Sequence, residues 1–191
     1  CGKIAVVCRD IAGYRAAIRY EFRMADIPLY CDEPTTPEFS APATAVRALL
    51  ALVRGADMTE NLTVLAKTGL CDLTEPEVCA LENYAYTWSP NAAAWRAEFT
   101  KSPRGFGDAE LTEEDTQNLT RAENARKKLV TAVDTLHSKV RSANAEQISR
   151  ALYFCLKELG AEGQQAAQVE SIRAARGIPA AEEAAREWNV V

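Results

Sequence analysis

Hydrophobic spacing along the chain changes character once, near residue 30. Ile4-Ala5-Val6-Val7-Cys8 is a continuous apolar run with β-branched residues, the pattern of a strand buried on both faces of a parallel sheet. Asp10 is placed to cap a helix over residues 11–25, in which Ile11, Tyr14, Ile18 and Phe22 recur at helical spacing. Ile27-Pro28-Leu29-Tyr30 then offers a short second strand, and the handedness rule makes the unit a right-handed crossover. Two strands leave unpaired edges, so the rest of the sheet is expected elsewhere in a longer chain. Cys1 in place of a methionine, and the apolar pair Val190-Val191 close behind Trp188, carry the same expectation.

After Tyr30 the period is helical throughout. Residues 31–42 hold Pro34, Pro37 and Pro42 among acidic and hydroxyl residues, a linker composition. Helices are predicted over 43–54, stopped by Gly55, and over 59–67, stopped by Gly69. A third covers 75–87, with Thr74 and Glu77 as a capping box, and a shorter one 91–99. The longest spans 112–141, with Leu119, Ala122, Leu129, Val133, Leu136 and Val140 on a narrow seam that should pack near-antiparallel on a partner helix over 145–159. Two weaker Ala-rich helices, 162–176 and 180–191, are separated by Gly177 and Pro179. The fold class is therefore mainly α: a small strand-helix-strand corner of an α/β domain over 1–33, then a multi-helix domain over 34–191.

With 48% hydrophobic and 26% charged residues, the 191-residue chain has an ordinary globular composition. A net charge of −5 argues against a surface that attracts phosphate everywhere, and leaves room for a local basic patch. No apolar run approaches the roughly 20 residues of a membrane span and no signal peptide opens the chain, so no membrane role and a cytoplasmic location are expected. Six scattered cysteines without a C-x-x-C pair, and a single histidine, give no metal-ligand spacing. Cys8 and Cys155 read as small buried hydrophobes, and His137 as an exposed helix residue. Phosphate-loop, dinucleotide and nucleophile-elbow motifs are missing, so no catalytic residue and no metal ligand is assigned. Glu113-Glu114-Asp115 falls in the first turn of the long helix, where it complements the helix dipole.

The run IAVVCRD, a helix, then ADIPLY resembles the opening of the second RecA-like motor domain of UvrD-type helicases. Further on, ATAVRALLALVRG, LAKTGLCDLTEPEVCALENYAYTW with Trp88, AAAWRAEF with Trp95, and the terminal EWNVV are similar to the B subunit of AddAB/RexAB-type helicase-exonucleases. The resemblance implies a segment from motif IV through the helical insertion of an ATP-dependent subunit that processes double-strand DNA ends for recombinational repair. It also implies three partners: the A subunit of the helicase-exonuclease, the rest of the segment's own chain, and double-stranded DNA ends. ATP, Mg and an iron-sulfur cluster would serve the parent protein, with none held by this segment.

By the same resemblance Arg9 matches the motif IV arginine that reaches the γ-phosphate of ATP, a role suited to a planar guanidinium at a strand's end. Pairing with a neighbouring carboxylate is the alternative. Lys67-Thr68-Gly69-Leu70 stands where that helicase family places a glycine turn against duplex DNA. A glycine there exposes backbone N–H groups to a phosphate and the lysine adds charge, while a plain helix C-cap is the alternative. A third candidate comes from charge alone. Over 121–150, Arg121, Arg126, Lys127, Lys128, Lys139, Arg141 and Arg150 face only Glu123, Asp134 and Glu146. Arg121, Lys128 and Lys139 share one helical face that could track a DNA backbone, or form a solvated face, or meet the acidic segment 61–120. Lys101 and Arg104 form a weaker fourth. Two functions remain: a DNA-guiding and structural arm that is not itself catalytic, and an all-helical protein-protein interaction module that binds neither DNA nor nucleotide.

Overall fold

The computed structural model describes residues 4–30, 40–107 and 110–188, apart from the side chains of residues 12, 179, 183 and 186–188. Among them are nine helices: α1 (Ile11–Met24), α2 (Ala41–Val53), α3 (Met58–Lys67), α4 (Glu75–Trp88), α5 (Ala92–Arg96), α6 (Glu113–Val140), α7 (Ala145–Glu158), α8 (Ala161–Arg176) and α9 (Ile178–Trp188). The chain divides into two units, residues 1–36 and 37–191. Most of the expected linker, residues 31–39, and the C-terminal residues 189–191 lie outside the described residues.

In the first unit Asp10 caps α1 as expected, accepting from the Gly13 amide at 3.3 Å. Ile11, Ile18 and Phe22 are half-buried, but Tyr14 is 61% exposed and does not join their stripe. The expected strands do not form among the described residues. Residues 4–8 and 27–30 carry no ladder, and Ile4, Val6 and Val7 are exposed. A strand satisfies its N–H and C=O groups only through a neighbour, and an isolated pair is marginal in water. Cys8 is accordingly half-buried rather than a core residue.

The second unit is built around α6, which packs against α4, α7, α2 and α5. Its buried face is broader than a two-helix seam. Ala122, Ala125, Leu129, Val130, Ala132, Val133 and Leu136 are all covered, and the alanines let neighbouring backbones approach. Leu49 from α2, Leu62 and Leu65 from α3, Leu81 from α4, Trp95 from α5 and Leu159 complete the core. The α8 and α9 helices pack mainly on each other.

Helix ends follow local chemistry. Thr74 donates its amide to Glu77 at 2.8 Å at the start of α4. Thr112 and Asp115 close a reciprocal box on α6, as Asn144 and Gln147 do on α7. Ser40 caps α2 two residues earlier than the sequence suggests, because proline is tolerated in a first helical turn. For the same reason Pro179 does not break α9; Gly177 separates it from α8. The α5 helix is shorter than predicted, since Ala97 turns to extended backbone. That turn lets Phe99 stack on Tyr84, centroid to centroid at 3.9 Å.

Candidate nucleic-acid interface

The Lys67-Thr68-Gly69 turn is built from the end of α3. Thr68 folds its hydroxyl back to the Leu65 carbonyl at 2.7 Å, and Gly69 takes φ +70, a conformation that disfavours any side chain. Leu70, 2% exposed, then anchors the chain in the core. The turn is not open on every side. The Gly69 carbonyl accepts from the Gln168 side chain of α8 at 2.8 Å, and Lys67 pairs with Glu82 of α4 at 2.8 Å.

Three residues later the chain meets α6. Lys128 donates to both the carbonyl and the carboxylate of Asp72, at 2.5 Å each. The Asp72 amide donates to the Leu159 carbonyl at 2.7 Å, and Gln164 reaches its carboxylate at 3.4 Å. The lysine's hydrogen bond is the main cause holding the Asp72 carboxyl below the usual carboxylate range. Lys128 is thus a tether between α6, the α3–α4 turn and the α7–α8 turn. Lys67, Thr68 and Gly69, at the end of α3, are thereby connected through Asp72 to Lys128 in the middle of α6.

Arg121 and Lys139 lie further along α6. The 7 and 11 residues that separate them from Lys128 correspond to rises of about 10 and 16 Å. Arg121 bonds the Asn118 side chain at 3.0 Å, and Lys139 lies 3.8 Å from Glu158. Lys67, Lys128 and Lys139 each face a carboxylate, so the row of cations is partly neutralised by its own fold. Exposed pairs of this kind are worth only about 0–1 kcal/mol, so a phosphate competes with them on near-equal terms. Lys127, exposed beside this row, borders a shallow groove of about 400 Å³ with Asn124, Lys128, Thr131, Glu158 and Leu159. Arg9 is exposed in the segment that leads into α1.

One member of the basic stretch does not belong to any surface. Arg126 is 7% exposed and makes three hydrogen bonds to two partners. It donates to the Trp95 carbonyl at 2.8 Å and forks onto Glu123, at 2.6 Å and 2.5 Å. Burial opposes the Glu123 carboxylate, but Arg126 and the Phe99 amide at 3.0 Å outweigh it and keep its carboxyl below the usual range. The pair fixes α5 and its exit on α6. The sequence carried the signal: Arg126 is four residues from Ala122 and three from Leu129, on the apolar seam, with Glu123 one turn before it.

Beside the glycine turn lies a second groove of about 650 Å³, where Lys67 is joined by residues that sequence reasoning missed. Thr44, Thr59, Thr63, Lys67, Glu82 and the exposed Tyr86 border it. Among the described residues no three His, Cys, Asp or Glu side chains gather as a metal site. Burial pushes the Cys71 thiol up to about 12 and that of Cys155 to about 11, which makes both poor thiolate ligands. Among the described residues no helix is long and apolar enough to cross a membrane.

No family model matches the chain. Curated relatives do. Over 190 residues, 98% of its length, it is 23% identical to the B subunit of the ATP-dependent helicase/deoxyribonuclease of Clostridium botulinum (strain Loch Maree / Type A3), and covers 17% of that protein. The B subunit from Alkaliphilus metalliredigens (strain QYMF) is 22% identical over 198 residues, with 98% of the chain and 17% of the relative covered. That of Clostridium perfringens (strain ATCC 13124) is 25% identical over 142 residues, with 71% and 12% covered. The chain spans about a sixth of the length of the relatives it matches most fully. It is a homologue, along nearly all of its length, of one segment of the ATP-dependent helicase/deoxyribonuclease B subunits.

Proposed function

We propose that this chain is the helical arm of a helicase/deoxyribonuclease B subunit, which guides duplex DNA and organises the rest of the protein without carrying out chemistry. The observation that carries the reading is the 98% coverage of the chain by B-subunit relatives. The arrangement of the Lys67-Thr68-Gly69 turn beside Lys127 and Lys128 supports it, since together they supply cations and a glycine-exposed backbone for a phosphate. In this reading residues 1–33 contribute the corner of a second RecA-like motor domain and residues 34–191 its helical insertion. The exposed apolar residues at 4–7 suit a strand that gains its ladder from the rest of a sheet.

The wider setting follows as part of the same proposal: double-strand DNA end processing for recombinational repair in the cytoplasm, in partnership with the A subunit. ATP, Mg and an iron-sulfur cluster belong to the parent protein's other segments. In this reading Arg9, exposed in the segment ahead of α1, is the residue of this chain assigned to the nucleotide. The carboxylate partners of Lys67, Lys128 and Lys139 favour one competing reading, a protein-protein interaction module without DNA binding.

Anisotropy of a labelled duplex-fork DNA at low salt tests the proposal. Lys67→Glu and Lys127→Glu are each expected to weaken binding several-fold with unchanged circular dichroism. A folded chain that does not bind, or binding indifferent to both changes, would overturn the DNA path drawn here.

A further inference from the structure

A second surface stands apart from the glycine turn, where the segment after α5 folds over the C-terminal end of α4. The Trp88 indole is fixed there, donating from Nε1 to the Ser102 carbonyl at 2.9 Å. Lys101 donates its amide to the Tyr84 hydroxyl at 3.3 Å and lays its ammonium 4.4 Å from the centroid of the Trp88 ring. Arg104 is held by Asp115 at 2.8 Å and Thr112 at 3.1 Å. The turn at Gly105 then delivers Phe106 edge-on to Trp88, with centroids 4.7 Å apart and planes at 63°. Phe106 is nevertheless 93% exposed, although it sits at the end of a well-tied loop.

Such a ring adds almost nothing to the core. Its ring partner is the Trp88 indole, which carries Lys101 over its own ring, and residues 99–107 contain Lys101 and Arg104 with no acidic residue. An open aromatic face next to positive charge suits a flat π-system linked to phosphate, because every nucleobase offers a face and its backbone offers the anion. We propose that Phe106, braced by Trp88 and flanked by Lys101, is a stacking platform for an unpaired base of single-stranded DNA. The inference rests on reading the chain as a DNA-contacting segment, and it assigns the single strand a place separate from the duplex path at Lys67 and Lys127.

Stacking is separated from charge by comparing a labelled dT15 strand with an abasic strand of the same length. The intact chain is expected to prefer dT15 by about five- to a hundredfold, the span of a single base-aromatic stack. Phe106→Ala should erase that preference and Phe106→Tyr should keep it, with thermal midpoint and fork-DNA affinity unaltered in both. Equal affinity of the intact chain for the two strands, or a preference that survives Phe106→Ala, would overturn the platform; intact fork binding in that case leaves the duplex-guiding reading standing. Conversely, a Phe106-dependent preference for dT15 without fork binding upholds the platform and removes the duplex path. If Phe106→Ala changes only self-association, the ring is a protein contact and the inference fails.

Discussion

Arg126 shows how one buried charge organises this fold. It spans from α6 to the Trp95 carbonyl, while its partner Glu123 accepts from the Phe99 amide, so two aromatic core residues depend on one ion pair. Replacing Arg126 with methionine leaves Glu123 and the Trp95 carbonyl without their donor. The expected cost is about 3 kcal/mol, read as a drop in urea midpoint at constant slope. The pair also links stability to pH. Because the folded Glu123 carboxyl lies below its ordinary 4.5, its contribution is complete above that value and fades as pH falls through the folded pKa. Urea midpoints measured from pH 6 downward are expected to fall less steeply in Glu123→Gln than in the native chain. Composition could not separate Arg126 from its exposed neighbour Lys127, since both count as positive charge. Helical spacing could, as it places only Arg126 on the apolar seam.

Among the elements, helices were legible wherever a cap chemistry met an apolar period. Thr74 with Glu77 begins α4 as the sequence indicates, and the predicted starts of α6 and α7 hold to within a residue, with Thr112 and Asn144 as the caps. What the spacing could not convey was tertiary demand. The α5 helix ends early so that Phe99 can reach Tyr84, and residues 4–8 have strand composition but no ladder among the described residues. The candidate site was legible in the same partial way. Lys67-Thr68-Gly69 could be located as a turn, whereas its carboxylate and glutamine partners come from α4 and α8, far along the chain. The α7–α8 corner is set by Gly160 at φ +90, where a Cβ would lie 2.7 Å from the Asp72 Cβ. Gly160→Ala is therefore expected to cost about 1–3 kcal/mol, through backbone strain and displacement of Asp72 from Lys128. Hydrogen exchange should show faster opening at the Asp72 amide, which donates across that corner.

At the scale of the whole molecule, a chain of net charge −5 that binds DNA must do so through a few local cations rather than a general field. Three of the candidate lysines already face carboxylates, so DNA would exchange weak internal pairs for phosphate contacts. This predicts a modest electrostatic footprint, and it also explains how the same surface could serve a protein partner if DNA is not its ligand. The dependence of duplex-fork affinity on salt decides between these. With two to four phosphates neutralised around Lys67, Lys127 and Lys128, log affinity is expected to fall with log salt at a slope of about −2 to −4. A slope near zero, or no measurable binding at low salt by a chain with intact helicity, would contradict the DNA-guiding arm.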